Sequence, residues 1–158
     1  MTLPAGATAR APRRLSAGAV AGWLLKTAVD PLVTVPGWAP GAPARLTRCL
    51  RASYRVSLLA AGQPCLLWRS GRAGPGVVAA GLVLGGADTG VDGSPVVEVT
   101  LHLLHEPVPR VELVTDPAFA TAEVVRMPAG SNPSPLTPGE LEAVRSRLGP
   151  DDLRAAGW

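Results

Sequence analysis

With 158 residues, 47% of them hydrophobic, the chain can bury well over half of its unfolded surface in one core and is too short for two ordinary cores, so one domain is expected. Its 17 Pro and 18 Gly approach disorder-prone compositions, but the apolar residues recur in periodic runs between these breakers, which excludes a disordered chain and favours many short strands. The net charge of +3 conceals a division: residues 1–87 carry ten basic side chains against one acidic, for +9, and the remainder five against eleven, for −6.

Arg10, Arg13 and Arg14 precede the apolar stretch Leu15 to Leu25 and imitate an export signal. The stretch runs into Lys26 with no small-residue cleavage site and is too short to span a bilayer, so residues 1–19 are read as a flexible N-terminal tail and Val20 to Lys26 as the first strand. Cys49 and Cys65 do not form a disulfide framework. They are read as reduced core residues, and the expected compartment is the cytoplasm.

Four prolines between Pro31 and Pro43 make residues 30–44 an irregular connection with an exposed or lid-like Trp38. Cys65 to Arg69 and Gly76 to Leu84 are apolar runs bounded by turn residues and read as a hairpin; their continuous apolarity suggests coverage on both faces, as in a small closed barrel. Val96 to Leu104 alternates as a half-exposed strand. Val108 to Val114 and Ala122 to Arg126 are further strand candidates. Thr137, Pro138 and Glu140 form a capping box, with Leu136 and Leu141 as a hydrophobic staple, which predicts a helix from about Pro138 to Leu148 that Gly149-Pro150 stops. Residues 149–158 read as a C-terminal tail.

Between Asp30 and Asp88 lie six Arg (Arg45, Arg48, Arg51, Arg55, Arg69 and Arg72) and no carboxylate. Two readings stand: the guanidinium groups meet the acidic half across the fold, or they share a face directed at a polyanion such as phosphate. On the second, at least three of the six surround one pocket mouth. Gly74-Pro75-Gly76 lies between strands and is no dinucleotide fingerprint, and neither a phosphate loop nor a nucleophile elbow is present. His102, His105, Cys49 and Cys65 lack the spacing of a zinc site. No catalytic residue, metal or cofactor is therefore expected.

One constellation stands out: Trp23-Leu24-Leu25-Lys26, Cys49 to Arg55, Leu66-Leu67-Trp68-Arg69-Ser70-Gly71, Pro75-Gly76-Val77 leading to Gly81, and Glu123 to Pro128 followed by Gly130-Ser131-Asn132-Pro133. In order and spacing it resembles the EVE domain family, PUA-like modules related to YTH and ASCH domains, over residues 20–148. The resemblance implies an α+β, mostly β fold: a small curled or closed PUA-like barrel flanked by short helices. It also implies a non-catalytic reader of a modified base in DNA or RNA, often with a restriction-system or modification-enzyme partner. The alternative is an interaction or scaffold module of the same fold with a degenerate pocket.

The positions that match the family's pocket are Trp23, Lys26, Trp68, Ser70, Gly71, Arg126, Ser131 and Asn132; Arg51, Arg55, Arg69 and Arg72 are candidates for phosphate. Many relatives follow the Lys with a Cys-Asn-Pro-like turn, whereas this chain has Thr27-Ala28-Val29-Asp30-Pro31. An extruded base needs a stacking face and donors and acceptors along its edge, so Trp68, Trp23, Ser70-Gly71 and Ser131-Asn132 are expected to converge on one cavity. Each has a structural reading beside the functional one: the tryptophans as plain core, Asn132 as organiser of the turn before Pro133, Arg126 as partner of Glu123 or Glu98. As a stacking residue, Trp68 would contribute about 1–3 kcal/mol to binding; as core, its loss would unfold the domain.

Overall fold

In the computed structural model, which describes residues 14–158, seven short helical elements accompany one seven-stranded mixed sheet. The strands are β1 (Gly22–Thr27), β2 (Pro43–Cys49), β3 (Pro64–Arg69), β4 (Gly76–Val83), β5 (Asp88–Thr89), β6 (Pro95–Pro109) and β7 (Ser134–Leu136). The helices are α1 (Pro31–Thr34), α2 (Arg110–Leu113), α3 (Glu123–Arg126), α4 (Pro138–Arg145) and α5 (Pro150–Ala156), with 3₁₀ turns at Ala17–Ala19 and Tyr54–Leu58. The strand order is β2-β6-β4-β3-β1-β7, with β5 on β6. Only β1 and β3 run parallel, in the register Trp23 to Cys65 and Lys26 to Trp68; the other pairs are antiparallel.

The continuous apolar runs have the cause inferred from sequence, because every residue of β1 is buried and the central strands are covered on both faces. Alternate side chains enter two separate clusters. Leu24, Leu66, Trp68, Ala80 and Phe119 pack beneath α4 and α5, while Trp23, Leu25, Cys65, Leu67 and Leu101 pack on the other side with Trp38, Leu50 and Leu59. The sheet curls without closing: β2 and β7 remain its edges, yet Arg51 N donates to Asn132 O at 3.0 Å just beyond them.

Several expected elements differ. Val108 to Val114 does not continue as a strand: β6 ends at Pro109, and the chain turns into α2, which buries Leu113. Ala122 to Arg126 forms a helical turn, since Ala122 and Val124 both reach the core that way. Trp38 is not a lid. It is 5% exposed, and its Nε1 donates to Ala42 O at 2.7 Å. Cys49 lies exposed at the end of an edge strand, so only Cys65 is a core cysteine; both are free.

The capping box forms as read, with Thr137 Oγ1 accepting from Glu140 N and Glu140 Oε2 from Thr137 N, both at 3.2 Å, but α4 stops at Arg145. Residues 149–158 are not a tail. Pro150, read as a helix stop, occupies the first turn of α5, where its missing N–H costs nothing. The helix ends at Gly157 with φ of 83°, and Trp158 Nε1 donates to Gly81 O at 3.0 Å. Of the expected N-terminal tail, residues 1–13 lie outside the described residues, and 14–19 include the first 3₁₀ turn. No helix among the described residues is long and apolar enough to cross a membrane.

Gly81 shows how tightly β4 and β6 approach. A Cβ there would lie 1.8 Å from Thr100 O, a backbone atom that cannot move without breaking the ladder. Gly81→Ala is expected to lower stability by about 1–3 kcal/mol or more, whereas Gly85→Ala, with nothing within 4 Å, should leave it unchanged; thermal melts of the two variants check this.

Candidate ligand cavity beside the 127–133 loop

The chain from Met127 to Pro133 has no regular structure of its own, and Lys26 on β1 holds it to the sheet. The Asn132 side chain behaves like an extra strand residue: Lys26 N donates to its Oδ1 at 2.7 Å, and its Nδ2 donates to Lys26 O at 3.1 Å. Lys26 Nζ donates to Gly130 O at 2.9 Å and Met127 O at 3.1 Å. Burial pushes the Lys26 amine below the usual lysine range, while nearby Glu123 favours its charge. Gly130 lets the loop come this close, since a Cβ there would lie 3.2 Å from Nζ.

Between this loop and the segment Arg51 to Arg55 is an open cavity of about 580 Å³. Arg51 Nη1 donates to Ser131 Oγ at 3.1 Å across it. Arg55 forms a two-pronged pair with Glu123, Nη1 to Oε1 at 2.7 Å and Nη2 to Oε2 at 2.9 Å, and Ser134 Oγ donates to the same carboxylate at 3.3 Å. Burial opposes ionisation of Glu123, but the Arg55 hydrogen bonds and charge, with Ser134 and Lys26, outweigh it and hold the carboxyl below the usual range. Met127, Pro128, Ala129 and Pro133 supply apolar wall.

The candidates chosen from sequence do not all converge. Ser131, Asn132, Arg51 and Arg55 line the cavity, and Lys26 supports its wall. Trp68 does not reach it: it is 3% exposed and stacks on Phe119 with ring centroids 6.1 Å apart and planes 13° from parallel. Trp23 is fully buried in the opposite cluster, its Nε1 donating to Gln63 Oε1 at 2.7 Å. The alternation of a strand explains this separation, because Trp23 pairs in register with Cys65 and Trp68 with Lys26, an odd number of residues away.

Ser70 and Gly71 form the turn after β3, with Ser70 N donating to Thr27 O at 2.8 Å, and lie outside the cavity lining. Arg126 pairs with neither Glu123 nor Glu98; its Nε donates to Thr121 O at 2.8 Å. The six Arg of the acid-free stretch divide. Arg45 pairs with Glu98 at 2.7 Å and Arg69 with Asp30 at 3.4 Å, Arg72 is exposed away from the cavity lining, and Arg48 Nη2 donates to Lys26 O at 3.2 Å. Two of them, Arg51 and Arg55, line the mouth rather than three, and two, Arg45 and Arg55, are neutralised by carboxylates of the second half.

Sequence reasoning missed Glu123, Ser53 and the apolar wall. The signal for Glu123 was available: an acid-free stretch rich in Arg needs carboxylates from elsewhere, and Glu123 is the only one between Asp116 and Glu140.

No protein-family model and no curated protein matches the sequence. Solved structures do match the fold. A hypothetical protein from Leishmania major superposes with a TM-score of 0.59 at 14% identity, covering 84% of this chain and 96% of that one. Human THYN1 protein, in complex with 5-methylcytosine containing DNA, matches with a TM-score of 0.54 at 14% identity, covering 80% and 96%. The DUF55 domain of human thymocyte nuclear protein 1 gives the same score and identity over 80% and 97%. The chain therefore shares the fold of these proteins, a mostly β mixed sheet flanked by short helices, in agreement with the α+β, mostly β architecture expected from sequence.

Two outcomes follow from this geometry. Trp68→Ala is expected to cost about 3–5 kcal/mol of stability, as loss of a large core aromatic does, measured by denaturant unfolding. The Glu123 carboxyl, depressed by its partners, contributes stability that is fully present above its ordinary value of 4.5 and lost as pH falls through the lower folded value. Glu123→Gln should therefore be less stable than the parent at neutral pH, and the gap should close on acidification, as thermal melts across pH will register.

Proposed function

We propose that the chain is a non-catalytic nucleic-acid-binding module that receives a modified base in the cavity between Arg51–Arg55 and the 127–133 loop. The observation that carries this reading is the composition of that cavity: the exposed Arg51 and the half-buried Ser131 beside the apolar surfaces of Met127, Pro128 and Ala129. Its volume of about 580 Å³ suits a small flat ligand. A methylated pyrimidine brings an apolar methyl for the loop wall, polar edge atoms for Ser131 and Ser53, and a phosphate for Arg51. That a protein of the same fold was solved with 5-methylcytosine containing DNA makes DNA carrying this base the first ligand to try.

Binding without catalysis accords with the state of two potentially reactive groups. The Cys65 thiol is pushed up to about 12 by complete burial and stays protonated, and the Glu123 carboxylate is occupied by Arg55.

A second reading, an interaction module that keeps the fold with a degenerate pocket, is favoured by two observations: Trp23 and Trp68 are committed to the core, and the Asn132 amide is used on both sides by Lys26. Titration of oligonucleotides with and without 5-methylcytosine separates the two. On the reader hypothesis the modified strand binds more tightly, Ser131→Ala narrows the difference, and Arg51→Ala weakens both strands while lowering the salt slope by about one. Equal or absent binding to all strands supports the interaction module instead.

A further inference from the structure

The cavity lining contains no aromatic side chain among the described residues, yet the sole tyrosine of the chain is flanked in sequence by two lining residues. Tyr54 lies between Ser53 and Arg55, both of which line the cavity, at the start of a 3₁₀ turn that the Ser53 hydroxyl caps by accepting from Arg55 N. Its ring is half-buried. The hydroxyl accepts from Leu15 N at 3.2 Å, and this bond, aided by neighbouring Arg55 and Arg14, lowers its proton affinity. The Leu15 contact fixes where the N-terminal segment meets the domain. As a result the Arg14 guanidinium lies over the Tyr54 ring, its Cζ 5.1 Å from the centroid, while Arg14 itself remains exposed.

A cation held on an aromatic face, with its other side in water, presents a flat surface to a second π system and a charge to a phosphate. Arg14 has no carboxylate partner among the described residues, unlike Arg55, whose charge Glu123 offsets. A nucleotide adjoining the base in the cavity brings both complementary features: a ring for the platform and a phosphate within reach of a guanidinium.

We propose that Arg14 and Tyr54 form a stacking platform for the nucleotide flanking the modified base, a second contact that extends the site along a single strand. The proposal rests on the reading of the cavity as a nucleic-acid site. It gives the domain the aromatic surface that Trp23 and Trp68 do not supply, and it assigns the N-terminal segment a part in binding through Arg14.

The test is fluorescence anisotropy with a single-stranded oligonucleotide carrying one 5-methylcytosine, and with versions holding an abasic residue immediately on its 5′ or 3′ side. Tyr54→Ala and Arg14→Ala are each expected to weaken binding about tenfold. Tyr54→Phe, which keeps the ring but removes the hydroxyl that holds Leu15 N, should recover only part of the loss. One of the two abasic strands should weaken the parent protein about as much as Tyr54→Ala does and cost that variant little more, because both changes remove the same stack. Circular dichroism confirms folding, and Arg14→Ala, at an exposed position, reports even if Tyr54→Ala is destabilised. If the parent prefers the modified strand while Tyr54→Ala and Arg14→Ala bind like it, or if the abasic and Tyr54→Ala losses simply add, the platform is refuted and the cavity reading survives. If the parent binds no strand, both fall.

Discussion

Lys26 is an ammonium buried on β1, between β3 and the edge strand β7, and a charge in that position is tolerated only where the surroundings satisfy it. Two carbonyls of the 127–130 loop do so directly, and the Glu123 carboxylate favours the charge from nearby. The same residue's main chain is clamped on both sides by the Asn132 amide. A loop with no regular structure is thereby fixed against the sheet, and the cavity exists because the loop stands where Lys26 holds it. Glu123 links the arrangement to Arg55 and so to the opposite wall. The matched residues Lys26, Ser131 and Asn132 thus belong to one construction in which the Lys and the Asn support the wall and the Ser is presented to the cavity.

The sequence was most legible where the signal was local. The capping box at Thr137 and the apolar runs of β1, β3 and β4 required only side-chain chemistry and periodicity. It was least legible where tertiary burial decided the outcome. The segment around Val124 carries β-branched residues and reads as a strand, but a helical turn is what places Ala122 and Val124 in the core. Pro150 was ambiguous because a proline that cannot continue one helix is well suited to begin the next.

For the site, the resemblance singled out residue types while register determined where they point. Trp23 and Trp68 lie on neighbouring parallel strands, but alternation sends them to opposite faces, and no property of either residue alone predicts that. The Arg-rich half resolves in a similar way. Arg45 and Arg55 find second-half carboxylates, so pairing across the fold accounts for part of the charge division. At the cavity Arg51 remains without a carboxylate partner among the described residues, and Arg14 likewise over the Tyr54 ring.

The claim that this cavity is the binding surface is tested most directly by following backbone amide and indole resonances by NMR while a 5-methylcytosine oligonucleotide is added. The account predicts shifts centred on Arg51–Arg55 and Met127–Ser131, with the Trp23 and Trp68 indole signals unmoved. Shifts centred on the tryptophans or on a distant face, or none at all, would contradict it.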